Sequence, residues 1–193
     1  MSANVATVLA ELKHLANPVN VAGMARFGII GKKVLGITTV QLRAVAKRIG
    51  RNHQLAEELW ASGIFEARVL GAFVADPTLL TRRQADAWAK DFECWADCDG
   101  LCIHLFRKTS FSHELAAAWS SRREELVKRA GFTMMATLAV SASDSSPVRA
   151  NSASRRVRAS AMRRIVGGWA KKFCPHLVLM GKENKRKKGR KYS

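Results

Sequence analysis

The sequence predicts an all-α fold, and three observations lead to this prediction. Apolar residues recur at helical spacing through most of the first 140 residues, capping patterns open several of these segments, and glycine or proline closes them. No region shows several strands of alternating pattern. Many short helices joined by tight turns form either a globular bundle or a curved stack of helix pairs. No clean sequence repeat decides between the two.

Six helices are predicted in the first half of the chain. Thr38 with Gln41 forms a capping-box pattern, Thr81 with Gln84 repeats it, and Pro18 suits the first turn of a short helix. The glycines in 27–36 predict a connecting loop. The helices are expected at 4–16, 18–24, 38–50, 52–63 and 64–75, with a sixth that opens at 81.

The second half continues the helical pattern and then changes in composition. Helices are predicted at 93–106 and 112–120, followed by a long helix that the pair Ser121 and Glu124 caps and that runs through Leu138. We expect a helical domain over 1–140, a Ser/Ala-rich linker or degraded repeat over 141–154, a final helix and apolar patch over 155–180, and a basic disordered tail over 181–193.

The positive charge is concentrated near the C-terminal end. The chain has 33 Lys+Arg and 15 Asp+Glu, a net charge of +18. Residues 144–193 contain 15 of the basic and 2 of the acidic residues, a net charge of +13. Such a block is typical of proteins that bind polyanions, most often nucleic acid. The alternative for the end of the tail is a solvated segment that only aids solubility.

The composition also excludes several classes of protein and indicates the cellular compartment. A hydrophobic fraction of 48% excludes a wholly disordered chain. No apolar run reaches about 18 residues, so no membrane-spanning helix is expected. The first residues lack a basic segment followed by an apolar core, and four cysteines are too few for a secreted disulfide scaffold. We therefore expect a cytoplasmic protein, near the nucleoid if the source is bacterial.

Three cysteines and a histidine lie close together at Cys94, Cys98, Cys102 and His104. On a helix, Cys94 and Cys102 are about 12 Å apart along the axis. One zinc ion with Zn–S bonds of about 2.3 Å cannot reach both. We therefore expect three small buried hydrophobic residues and no metal. The remaining alternative is a cysteine nucleophile with His104 or His113 as its base.

The same helix carries an aromatic residue and two acids, Trp95, Asp97 and Asp99. Trp95 and Asp99 are one turn apart and share a face, whereas Asp97 is rotated about 200° from Trp95. One interpretation is a solvated carboxylate beside a half-buried Trp. The other is a functional acid in a chain that is otherwise strongly basic.

Four segments, in order along the chain, resemble a known family. They are MARFGI (24–29), LWASGIFEARVLGAFVADP (59–77), CWADCD (94–99) and REELVKRAGFTMMATLAV (123–140). Together they are similar to the DNA alkylation repair family, the AlkD-like glycosylases. The resemblance implies a stack of HEAT-like helix pairs around a concave, basic groove for DNA. It also implies removal of cationic N3- and N7-alkylated purines from duplex DNA, without flipping of the base.

The resemblance further implies roles for individual residues. Asp99 matches the catalytic acid, and Trp95, four residues before it, matches a Trp that packs against the DNA. Arg129 in VKRAGF matches an Arg that contacts the DNA backbone, and Lys128 beside it is expected to bind DNA. Trp169 in MRRIVGGWAKKF matches a second Trp on the DNA. No metal and no organic cofactor enters this scheme.

The predicted function is therefore a monomeric DNA glycosylase whose partner is duplex DNA with alkylated purines. Two alternatives belong to other classes: a HEAT-like module that binds nucleic acid without chemistry, and a scaffold that binds proteins. The pairing of Trp95 with Asp99 favours the enzyme. The stretch from Ser141 to Arg158, which departs from the family pattern, favours the alternatives.

Overall fold

The computed structural model of the protein describes residues 4–31 and 33–144, with side chains described as far as residue 139. Within these ranges all the regular elements are helices, which confirms the all-α prediction. The elements are α1 (Val5–His14), α2 (Pro18–Ala25), α3 (Thr39–Ile49), α4 (His53–Ala61), α5 (Phe65–Val74), α6 (Arg82–Lys90), α7 (Trp95–His104), a 3₁₀ turn (Phe106–Lys108), α8 (Ser112–Ser120) and α9 (Glu125–Asp144). None of the helices described is long and apolar enough to cross a membrane.

Helix starts that depend on neighbouring residues lie where the sequence predicts them. The Thr38 hydroxyl accepts from the Gln41 N–H (3.3 Å), and the Gln41 side chain accepts from the Thr38 N–H (3.0 Å). This reciprocal pair opens α3. Asn52 caps α4 through the N–H of Leu55, and Pro18 occupies the first turn of α2.

The last described helix differs from its predicted bounds at both ends. The predicted start at Ser121 is wrong, since α9 begins at Glu125. The carboxylate of Glu124 pairs with Arg122 instead of reaching back to the backbone of Ser121. At the other end α9 continues to Asp144, past the predicted start of the linker at 141. The predicted final helix and the basic tail lie outside the described residues.

Helix α5 is the centre of the compact unit that extends to Leu138. It contacts α1, α3, α4 and α7, and most of its side chains are buried. Gly71 in α5 lies against α4 so closely that an added Cβ would be 3.2 Å from the carbonyl oxygen of Ala56. Small residues at this crossing let the two helix backbones approach each other.

A buried carboxylate holds the loop between α2 and α3 against α5. Glu66 is fully buried, and its oxygens accept from the backbone N–H groups of Leu35 (2.8 Å), Gly36 (2.6 Å) and Ile37 (3.3 Å). Gly36 has φ +78°, which a residue with a Cβ rarely adopts. The loop is thereby fixed over the face that carries the site described next.

Helix α9 packs tightly against both α7 and α8. The thiols of Cys98 and Cys102 in α7 contact the carbonyl oxygens of Leu126 (3.4 Å) and Ala130 (3.7 Å) in α9. A Cβ on Gly131 would overlap the backbone of Ser120, at the C-terminal end of α8. These contacts fix the position of α9 along α7 and so determine which of its side chains meet.

Candidate DNA-repair site

A buried ion pair joins α7 to α9. Asp99 is only 4% exposed, and Arg129 is 7% exposed. The Nε of Arg129 donates to Oδ1 of Asp99 (3.0 Å), and its Nη2 donates to Oδ2 (2.7 Å). The hydroxyl of Thr133 also donates to Oδ1 (2.9 Å). This two-pronged geometry is the strongest that a guanidinium and a carboxylate form.

Trp95 lies beside this ion pair, one turn before Asp99. The Cζ of Arg129 is 5.8 Å from the centre of the Trp95 ring, within the range of a cation–π contact. The indole Nε1–H donates to the carbonyl oxygen of Phe27 (2.8 Å), which anchors the loop after α2 to α7. Gly28, at φ +72°, brings the loop backbone close to the indole. Trp95 is half-buried, so part of its surface remains available to a ligand.

Asp97 faces a different set of partners, as the predicted helical rotation requires. Its carboxylate accepts from the backbone N–H groups of Glu93 (3.0 Å), Cys94 (3.2 Å) and Cys98 (2.8 Å). Burial raises the pKa of Asp97, and these three N–H groups act in the opposite direction. Asp97 therefore stabilises the first turn of α7, whereas Asp99 lies in the cluster with Arg129 and Trp95.

The cysteines are buried core residues, as the sequence analysis expects. Cys94, Cys98 and Cys102 are all free thiols with little exposure. Burial raises the pKa of Cys94 to about 11 and that of Cys98 well above its usual range. Both side chains are thus neutral thiols near pH 7, which argues against a thiolate nucleophile. Among the described residues, no group of three or more His, Cys, Asp and Glu side chains could hold a metal ion.

The remaining predicted site residues have different positions. Lys128 is exposed on α9, where its side chain reaches solvent. Arg129 directs its guanidinium to Asp99, and its expected contact with the DNA backbone stays a prediction. Trp169 lies outside the described residues. The structure thus brings together Asp99, Trp95 and Arg129.

Two members of the cluster were not anticipated from the sequence. Thr133 is four residues after Arg129 in a helix, so the spacing alone places both on one face. Its bond to Asp99 could therefore have been proposed once α9 was set against α7. Phe27 belongs to the segment MARFGI, but nothing in that segment indicates that its carbonyl oxygen binds Trp95, 68 residues away.

Comparison with known proteins identifies the family. The sequence profile described as DNA alkylation repair enzyme matches residues 8–165. The chain belongs to this family. The match starts earlier and ends later than the four segments that carried the resemblance, and Trp169 lies beyond its end. No curated protein matches the chain.

A solved structure supports the fold. It is described as a new family of proteins related to the HEAT-like repeat DNA glycosylases, with affinity for branched DNA structures. The TM-score is 0.69 at 24% sequence identity, over 85% of this chain. The chain spans 66% of the length of that structure. At this identity the likeness shows the fold, a HEAT-like helical repeat, and so decides between the bundle and the stack of helix pairs.

Proposed function

We propose that the protein is a DNA glycosylase that hydrolyses the N-glycosidic bond of cationic N3- and N7-alkylated purines in duplex DNA. The observation that carries this proposal is the buried Asp99–Arg129 ion pair, which lies beside the half-exposed ring of Trp95. The chain that contains it belongs to the family of DNA alkylation repair enzymes. No metal or organic cofactor takes part in the proposed reaction.

The chemistry needs one carboxylate and no strong acid. A purine alkylated at N3 or N7 already carries positive charge, so it leaves its sugar without further protonation. Positive charge then develops on the sugar, as in other glycoside hydrolyses. In the proposal, the carboxylate of Asp99 faces C1′ and stabilises that charge, and it orients the water that attacks the same carbon.

The residues around Asp99 have separate roles in the proposed reaction. Arg129 and Thr133 hold the carboxylate of Asp99 in one orientation, so it does not need to reorganise when the sugar becomes charged. Trp95 supplies a π face for the deoxyribose and the cationic base. Arg129 is also proposed to contact the DNA backbone, and Lys128, exposed next to it in sequence, to bind a neighbouring phosphate. Trp169 is proposed as a second aromatic contact.

A second candidate is a module that binds DNA without chemistry. The surroundings of Asp99 favour this candidate, because both of its carboxylate oxygens already accept hydrogen bonds and the residue is only 4% exposed. The solved relative is described as having affinity for branched DNA structures. In this alternative the ion pair only fixes α7 to α9.

The substitution Asp99→Asn separates the two functions. It keeps the shape of the side chain and removes the charge that faces the sugar. We expect release of 7-methylguanine and 3-methyladenine from methylated duplex DNA to fall about 100-fold or more, since one such electrostatic contact is typically worth that much. Some release should persist because the leaving base is already cationic.

The matched control is Asp97→Asn, which also replaces a buried carboxylate of α7 by an amide. It should lower the free energy of unfolding, by about 1–3 kcal/mol, because the amide keeps only one acceptor oxygen for three backbone N–H groups. The rate per folded molecule should stay near that of the parent. Equal rates for parent and Asp99→Asn would show that the site is assigned wrongly. A parent protein that releases no base, yet binds DNA, would establish the second candidate.

A further inference from the structure

A second polar site lies at the C-terminal ends of α3, α5 and α7. There a cavity of about 380 Å³ opens between the helices. None of Asp99, Trp95 and Arg129 lines it, so it is distinct from the site described above. Its walls are formed by Arg43, Ala46, Lys47, Gly50, Arg51, Phe73, His104 and Lys108.

The cavity gathers cations without a carboxylate in its lining. Arg43, Lys47 and Arg51 follow one another along α3 and its C-terminal end, and Lys108 joins them from the 3₁₀ turn after α7. Burial lowers the pKa of Lys108, and the nearby charges of Arg107, Arg51 and Arg43 lower it further. Arginines that lower the pKa of a lysine lie close to it, and an anion placed among these cations would relieve their repulsion.

Nearby acids and aromatic rings interact with only some of the cations in the cavity. Arg51 reaches Asp76 at 3.7 Å, a weak ion pair with the Arg side chain 63% exposed. Arg43 lies over the ring of Phe73, 5.0 Å from its centre. No described contact ties Lys47 to an acid, in contrast to its neighbour Arg48, which pairs with Glu11 on the other side of α3.

His104 adds a neutral hydrogen-bonding group to the same wall. Its ring packs edge-on against Phe73, with centroids 4.8 Å apart. Burial lowers the pKa of His104 to about 4, and the charges of Arg43, Lys108 and Arg107 act in the same direction. Near pH 7 the imidazole is therefore neutral and offers one N–H donor to a bound oxygen anion.

We propose that this cavity binds a phosphate group of a nucleic-acid strand, as a second contact point separate from the site at Asp99. The inference rests on the proposed binding of DNA but not on the proposed hydrolysis. Arginine forks and lysine ammonium groups are the usual partners of phosphate oxygens. The side chain of Arg51 is 63% exposed, so the cavity is open to solvent at that side, where a phosphate group of a strand can enter.

The test compares two neighbouring substitutions in the full-length chain, Lys47→Gln and Arg48→Gln. Both remove one positive charge from α3, but only Lys47 lines the cavity. Binding to an unmodified, fluorescently labelled duplex is measured by anisotropy from 50 to 200 mM salt. Lys47→Gln should weaken binding and make the slope of log K against log salt shallower by about 0.9, the value of one phosphate contact. Arg48→Gln should leave the slope unchanged. Equal effects of the two would overturn the proposal.

A second readout is the titration of His104 by NMR. An anion beside the imidazole favours its protonated form, so the duplex should raise the pKa of His104 above about 4. Inorganic phosphate at the same concentration of phosphate groups should raise it much less. If inorganic phosphate produces the full shift and displaces the duplex, the site takes free anions and the proposal is wrong. If the parent protein releases no base but Lys47→Gln still weakens DNA binding and makes the salt slope shallower, only the proposed hydrolysis is refuted.

Discussion

Asp97 and Asp99 show how two buried carboxylates of one helix acquire different roles from their partners. Asp97 accepts from three backbone N–H groups at the start of α7, and Arg68 of α5 lies 4.0 Å from its carboxylate. Asp99 accepts from two side chains of α9, so it joins two helices. The sequence gives the relative rotation of these acids, since helical geometry is local. It cannot supply the partner of Asp99, which lies 30 residues away.

His104 provides a pH test at the same scale. Its pKa is about 6.5 in the unfolded chain and about 4 in the fold, so between these values the unfolded chain binds more protons. The free energy of unfolding should therefore fall as the pH is lowered through 6.5 towards 4. In the His104→Gln variant, this contribution to the decrease in the free energy of unfolding should be absent. Urea unfolding of both proteins at pH 7.5 and pH 5 measures the difference.

The exposed histidine of α1 serves as the control. His14→Gln removes an imidazole that has no part in the cavity, and its unfolding should depend on pH as the parent's does. Because Arg43, Lys108 and Arg107 are the charges that face His104, their repulsion contributes to the effect. If the free energy of unfolding falls equally for the parent and for His104→Gln between pH 7.5 and pH 5, the lowered pKa of His104 in the fold is contradicted.

At the scale of helices, the predictions that hold are those that depend on residues close in sequence. The capping box at Thr38 needs only Gln41, three residues on, and both bonds are present. Ser121 with Glu124 has the same spacing but fails: the Glu124 carboxylate pairs with Arg122, and α9 begins at Glu125. The spacing of a capping pattern is therefore not sufficient by itself to fix where a helix starts.

The crossing of α8 and α9 depends on Gly131. In an isolated helix Ala is favoured over Gly by about 1 kcal/mol. At Gly131, however, the added methyl would overlap the backbone of Ser120, which cannot move aside as a flexible side chain would. We expect Gly131→Ala to destabilise the protein by about 1–3 kcal/mol, as overpacking typically does. Chemical denaturation of the variant and the parent measures this change.

Gly23 in α2 is the matched control for that substitution. A Cβ there would meet no atom within 4 Å, so Gly23→Ala should be neutral or stabilising, by up to about 1 kcal/mol. Because Gly131 is two residues after Arg129, a shift of α9 should also disturb the ion pair with Asp99. A Gly131→Ala protein as stable as the parent would show that α8 and α9 are not in close contact.

For the whole molecule, sequence and structure account for different parts of the proposed DNA binding. Helical periodicity and the family resemblance predict a stack of helix pairs, and the comparison with a solved structure confirms that fold. The basic cavity between α3, α5 and α7 was not predicted, because Phe73, His104 and Lys108 join Arg43, Lys47 and Arg51 only when the helices are stacked. The charge of the tail, by contrast, is visible in the sequence alone.

The basic tail at 182–193, which lies outside the described residues, carries seven Lys+Arg and one Glu. If it binds the duplex, each phosphate contact that it makes contributes about −0.9 to the slope of log K against log salt. Replacing the tail by Gly/Ser residues of equal length should therefore flatten the slope while leaving the preference for methylated over unmodified duplex unchanged, since the proposed lesion contacts involve Trp95 and Asp99. Anisotropy titrations with both duplexes at several salt concentrations measure the two quantities together. An unchanged slope would show that the tail does not contact the duplex, and a lost preference would place part of lesion recognition in the tail.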